Sequence, residues 1–188
     1  MTNTAPRRSG PWTVAPADVT APEALELLRA YYYDVANRYY RLHLGREGTP
    51  EELESGLAGS PSDHLAAPDG AFLIGRHDGA AHSCAGLRRL DAGTAELTRV
   101  FVRPGLRGTG GGTVLLAAVE DAARSLGARR IVLDTRLDLV EARALYTRHG
   151  YREIPAYSHG PYAQVWYGKE LGPAASPVPS AASSPVGR

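Results

Sequence analysis

Ala95-Glu-Leu-Thr-Arg-Val-Phe-Val-Arg-Pro-Gly-Leu-Arg107-Gly-Thr-Gly-Gly-Gly112-Thr113 is the stretch on which the reading of this chain turns. Residues 95–103 are rich in β-branched and apolar side chains and predict a strand that ends at Pro104. A Pro-Gly turn and a glycine-dense loop follow. Residues 114–126 then read as a helix, with Leu115, Val119, Ala122 and Leu126 on one face and Gly127 as its stop. A strand that feeds a helix through glycines presents free N–H groups and the positive end of the helix dipole. Gly108, Gly110, Gly111 and Gly112 lack a Cβ, so an anion can approach the backbone. Arg107 adds charge-assisted donors. A phosphate site is therefore expected on chemical grounds alone. A P-loop does not match, because no Gly-Lys-Ser/Thr closes the loop. A dinucleotide fingerprint forced onto Gly108-Thr-Gly110 misplaces its third glycine. The plain alternative is a flexible helix start that holds no ligand.

Outward from this stretch the pattern alternates. Residues 12–15 predict a short strand. Pro22 starts a helix in which Leu25, Leu28, Tyr32, Val35 and Tyr39 recur at three- and four-residue steps. Residues 51–57 predict a short helix with Thr49 as N-cap. Residues 71–76 and 81–90 predict strands joined through Asp78-Gly79, a hairpin signal. On the C-terminal side, Ile131-Val132-Leu133 reads as a buried strand. Residues 141–149 read as a helix ending at Gly150, and 151–154 with 162–171 as a last strand pair. The sum is an α/β, or layered α+β, domain with a mixed, mostly antiparallel central sheet and helices on both faces. Residues 1–10 predict a flexible N-terminal tail, 11–171 the domain, and 172–188 a disordered Pro/Ala/Ser tail with too little apolar surface to order.

Arg107-Gly-Thr-Gly110-Gly-Gly112 resembles the Arg/Gln-x-x-Gly-x-Gly/Ala loop of the GNAT N-acetyltransferase superfamily. Val-Phe-Val-Arg-Pro at 100–104 is similar to that family's cofactor strand. Ala142-Arg-Ala-Leu145-Tyr146-Thr-Arg-His-Gly150-Tyr151 resembles its Ala-x-x-Leu-Tyr-x-x-x-Gly-Phe/Tyr segment, with Leu139 standing where the family often has Asn. The resemblance covers residues 11–171 and is strongest over 95–154. It implies acetyl-CoA as acetyl donor, with Arg107, Gly108, Thr109, Gly110, Gly111, Gly112 and Thr113 around its diphosphate. It also implies Val100, Phe101 and Val102 as a main-chain edge for the pantetheine arm, and a backbone N–H near Val102 as an oxyanion donor. The implied reaction is direct attack of a primary amine, from a small-molecule or amino-acid-like acceptor, on the thioester.

Two residues are candidates for proton transfer. Tyr146 is the expected acid, because a phenol (pKa ~10) can protonate a departing thiolate (~8.5) without losing its own proton first. Glu96 is the expected base, at the position where histone-acetylating members carry a glutamate; alternation sets it on one face with Thr98, Val100 and Val102. A packing role for Tyr146 and a structural ion pair for Glu96 stand beside these readings. Tyr33, Tyr157 and Tyr162 are candidate acceptor contacts, Tyr33 from the tyrosine-rich first helix and the others from the loop before the last strand. Cys84 reads as a small apolar filler of a core strand.

Composition narrows the class. The 188 residues hold 21 Lys+Arg against 20 Asp+Glu, so no basic excess suggests nucleic-acid binding. The single cysteine excludes an internal disulfide and a multi-cysteine zinc site. The six histidines show no metal spacing, so no metal is expected. No apolar run suits a membrane span or signal peptide, which makes a cytoplasmic protein the expectation. The resemblance also allows a homodimer. Two other functions stay open: a non-catalytic acetyl-CoA-sensing regulator, and acetylation of a protein lysine or N-terminus.

Overall fold

The computed structural model describes residues 11–172; the two expected tails fall outside it, apart from Gly172. Seven strands are β1 (Trp12–Ala17), β2 (Gly70–His77), β3 (Ala80–Arg89), β4 (Thr94–Val102), β5 (Arg130–Thr135), β6 (Arg152–Glu153) and β7 (Val165–Glu170). Four helices are α1 (Pro22–Leu44), α2 (Pro50–Ala58), α3 (Gly111–Ser125) and α4 (Val140–Arg148). The strands form one sheet in the order β1-β2-β3-β4-β5-β7-β6. Every neighbouring pair is antiparallel except β4–β5, which is parallel. The mixed, mostly antiparallel sheet expected from the sequence is present.

Local chemistry explains the element ends. Thr49 caps α2 in a reciprocal box: its side chain accepts from the Glu52 N–H, and Glu52 accepts from the Thr49 N–H. Arg46 adds two charged bonds to Glu52, and these with the Thr49 bond lower its pKa to about 2. The predicted hairpin turns at Asp78 and Gly79, both at positive φ. β1 runs two residues beyond the expected end and includes Pro16, which an edge strand tolerates because one side of its backbone needs no partner. α3 begins at Gly111 rather than at 114, so Gly111 to Thr113 belong to its first turn.

The core divides between the two sheet faces. One cluster packs Leu115, Leu116, Val119 and Ala123 of α3, with Tyr146 of α4, against Leu73, Ala85, Leu87, Ala95, Leu97, Ile131 and Leu133. The other packs Ala24, Leu27 and Leu28 of α1 against Phe72, Ile74, Cys84 and Phe101. Among the described residues, no helix is long and apolar enough to cross a membrane.

Candidate active site

The parallel strands separate. Thr94, Ala95 and Glu96 pair with Arg130, Ile131 and Val132, and there the ladder stops, although β4 continues to Val102 and β5 to Thr135. The β5-facing edge of residues 97–102 is thus unpaired main chain, while the other edge stays bound to β3. A bulge accompanies the separation. Thr98 opposes Gly86 and Phe101 opposes Cys84, so two residues of β4 face one of β3, and Arg99 takes φ 57°. The Cys84 thiol donates to the Arg99 carbonyl at 3.5 Å, so this buried cysteine serves the bulge as well as filling space. Burial drives its pKa to about 12 and leaves it no nucleophile. The bulge also corrects the simple alternation: Val100 packs on the α3 cluster with Ala95 and Leu97, while Phe101 joins the α1 cluster.

At the end of β4 the glycines do different work. Gly108 and Gly110 have φ of 82° and 96°, and nothing lies within 4 Å of where a Cβ would stand. These two therefore set the loop path and leave its outer side open. Gly111 has another reason: a Cβ there would meet the Trp12 ring at 2.5 Å. Trp12 also donates from Nε1 to Thr109 Oγ1 at 3.0 Å, tying the loop to β1. A Cβ on Gly112 would lie 3.0 Å from Leu145, and Thr113 Oγ1 sits 3.2 Å from His149 Nε2. Hence α4, which carries Tyr146, is docked on the start of α3. Arg107 lies back along β4: Nε donates to the Val102 carbonyl at 3.0 Å, and Nη2 pairs with Asp34 of α1 at 2.8 Å.

Glu96, 8 % exposed, sits on the α1 face, where its carboxylate pairs with Arg88 and accepts from the Tyr157 hydroxyl at 3.0 Å. Asp134 stands near it on β5, receiving a 2.8 Å bond from Ser158 Oγ, which accepts from Trp166 Nε1 at 2.8 Å. Burial pushes the Tyr157 phenol well up, and the Glu96 and Asp134 charges push the same way, so it remains a donor. Tyr146 is 5 % exposed and packs against Tyr151 and Tyr167; burial raises its pKa strongly. The three acceptor candidates part company. Tyr157 joins Glu96, Tyr162 stacks edge-on with Tyr39 and is largely exposed, and the Tyr33 hydroxyl bonds to Glu54 of α2. Tyr31 of α1 reaches β4, against the Phe101 ring and under the Arg99 guanidinium. Arg99 in turn bonds Ser60 and Ser62, fixing the loop after α2.

The family model described as Acetyltransferase (GNAT) family matches residues 25–151. The chain belongs to the GNAT acetyltransferase family. Among curated relatives, an uncharacterised N-acetyltransferase of Schizosaccharomyces pombe is 30% identical over 68% of this chain and 79% of its own length. An IAA acetyltransferase of Azospirillum brasilense is 34% identical over 52% of this chain and 63% of its own. Among solved structures, a Klebsiella pneumoniae protein assigned as an acyl-CoA N-acyltransferase superposes with TM-score 0.63 at 26% identity, covering 86% of this chain and 98% of the other. An acetyltransferase of Streptococcus agalactiae gives TM-score 0.66 at 21% identity over 85% and 98%. GNAT membership makes this chain an acyltransferase of the N-acetyltransferase type. Several site residues escape sequence reasoning. Asp34, Asp134 and Ser158 have no motif around them, and only the fold brings them to the site. Arg99 reads in the sequence as a strand-face arginine that could meet an acceptor carboxylate, but nothing there signals its positive φ, which arginine does not favour.

Proposed function

We propose that this GNAT protein transfers an acetyl group from acetyl-CoA to the primary amine of a small-molecule acceptor. The observation that carries the reading is the separation of β4 from β5 just before a glycine loop that opens α3. The residues suit the donor: Gly108 and Gly110 keep the loop backbone open, and residues 111–113 begin a fifteen-residue helix whose dipole favours a diphosphate. Arg107 to Thr113 would hold the diphosphate, and the free edge of Val100, Phe101 and Val102 would hold the pantetheine arm by strand addition. When bound, acetyl-CoA supplies the activated acyl group.

The chain's own residues manage the protons. Glu96 accepts the amine's proton, through water because Arg88 and Tyr157 already engage its oxygens. Tyr146 holds its proton firmly in its buried setting and gives it to the departing thiolate. Tyr157 keeps Glu96 oriented, and Tyr31 and Tyr162 border the acceptor approach from two sides.

The test is thiol release from acetyl-CoA across a panel of primary amines. The wild type is expected to turn over at least one amine well above hydrolysis. Tyr146→Phe should lose roughly a hundred-fold in kcat, within the usual contribution of a general acid, with unchanged CoA affinity. A Tyr146→Phe enzyme as fast as wild type would remove that residue from the chemistry. Tight CoA binding without turnover of any amine would favour a sensing role instead.

A further inference from the structure

Asp134 carries a charge that the packing of this face does not balance. Its neighbour Glu96 has Arg88 as counter-ion, and the buried Arg136 on the same strand end is matched by Asp138. Asp134 has no ion pair among the described residues, and its only hydrogen bond is from Ser158 to Oδ2. Other described carboxylates outside any ion pair, Asp18, Glu51, Asp63 and Asp91, are exposed, where water solvates them; Asp134 is half-buried. Burial raises its pKa, and the charge of Glu96 adds to that rise against the pull of Ser158 and Arg88. A partly buried carboxylate with no cation paired directly to it is unfavourable, and proteins retain such groups where a ligand completes them.

Its position suits a ligand. Val132 is the last β5 residue paired with β4, and Asp134 lies two residues beyond on the same sheet face, at the opening of the strand gap. The support behind it is built in two layers. Ser158 holds one oxygen and Trp166, on β7, holds Ser158. An alkyl amine, with a pKa of ~10.4, reaches any site at neutral pH as an ammonium, whereas an aromatic amine or an alcohol arrives uncharged.

We propose that Asp134 is the acceptor-docking residue: the incoming alkylammonium binds the carboxylate oxygen that Ser158 leaves free, and Ser158 and Trp166 are positioning residues that hold that carboxylate. The inference rests on the acetyl-transfer reading of the same site and deepens it. It assigns the acceptor to amines that are cationic before reaction, and it separates docking at Asp134 from proton removal at Glu96.

The test compares butylammonium with butan-1-ol, which share a chain and differ in charge, by NMR titration of the CoA-loaded protein. Wild type is expected to bind butylammonium roughly ten- to hundred-fold more tightly than the alcohol, the range of a hydrogen bond to a charged group. Asp134→Asn should bring the two ligands level, and Ser158→Ala should fall between. Should Asp134→Asn fail to fold, the Ser158→Ala, Trp166→Phe double variant is expected to shrink the preference by several-fold. Equal affinities in wild type, no binding of butylammonium, or a preference that survives these substitutions overturns the proposal. For any amine that is turned over, Asp134→Asn should raise KM with little change in kcat, and Glu96→Gln should do the reverse. CoA affinity, measured by calorimetry, should be the same in Asp134→Asn as in wild type. Failure of the wild type to bind CoA would bring down the acetyl-transfer reading instead, so the two failures are distinguishable.

Discussion

The two halves of β4 belong to one strand and obey different rules. Thr94 to Leu97 make up the first half: residues 94–96 pair with β5 and 95–97 with β3, Ala95 and Leu97 lie on the α3 cluster, and 95–97 are buried. Thr98 to Val102 keep one partner, carry a bulge with a residue at positive φ, and present a free edge to the gap. The first half is held by packing that any core strand would have. The second is irregular because β5 has left it, and its irregularity is supported from outside by Cys84, Ser60, Ser62 and Tyr31. Stability and ligand binding should therefore separate along the strand.

The largest effect tests that separation directly. Leu97→Ala removes a side chain 2 % exposed and should cost about 2–5 kcal/mol of unfolding free energy, read by denaturant titration, while CoA affinity per folded molecule is kept. Arg107→Glu with Gly110→Asp should shift the balance the other way, lowering CoA affinity by on the order of a hundred-fold in calorimetry while costing only about 1–2 kcal/mol of stability for a side chain at φ 96°. If Leu97→Ala weakens CoA binding as much as the loop variant, the halves are not independent. A smaller effect sharpens the account of the bulge. Arg99→Ala and Arg99→Gly both delete the contacts to Ser60, Ser62 and Tyr31, but only glycine relieves the positive φ. The glycine variant should be the more stable by about 1 kcal/mol. Equal stability would mean that the bulge relaxes when its arginine is lost.

The same division separates what the sequence discloses from what it conceals. The paired half, the Asp78-Gly79 hairpin, the Thr49 cap and the Arg107–Thr113 loop all follow from local chemistry, since turn, cap and glycine preferences act within a few residues. The bulge does not, because Arg99 is forced to φ 57° by the register of β3 and the departure of β5. Gly111 and Gly112 read in the sequence like Gly108 and Gly110, but their Cβ positions face Trp12 and Leu145, and only tertiary packing distinguishes the two pairs. Asp134 follows three buried apolar residues and looks like the end of a strand. Its meaning depends on Ser158, twenty-four positions away. Tyr33, the expected acceptor contact, and Tyr31 differ by about 200° around α1, and the periodicity of that helix does not choose between them.

The weakest interaction with a functional reading is the Arg107–Asp34 pair, which links α1 to the second half of β4. Its side chains are 36 % and 21 % exposed, so in isolation it contributes little to stability. Its effect on CoA is a matter of competition. Asp34 holds one end of the guanidinium, and the other end covers the Val102 carbonyl that an added strand would use. A diphosphate bound at the loop as proposed would have to draw Arg107 from both, and it would meet the negative charge of Asp34 besides. Asp34→Asn removes the competing charge and the repulsion together, so both changes act in the same direction. CoA affinity should rise by up to about five-fold at low salt, the range of a half-exposed ion pair, and the gain should shrink as added salt screens it. A loss of affinity in Asp34→Asn would reverse the sign: Asp34 would then be aiming Arg107 at the diphosphate rather than withholding it. In that case α1 would belong to the cofactor site as well as to the acceptor side.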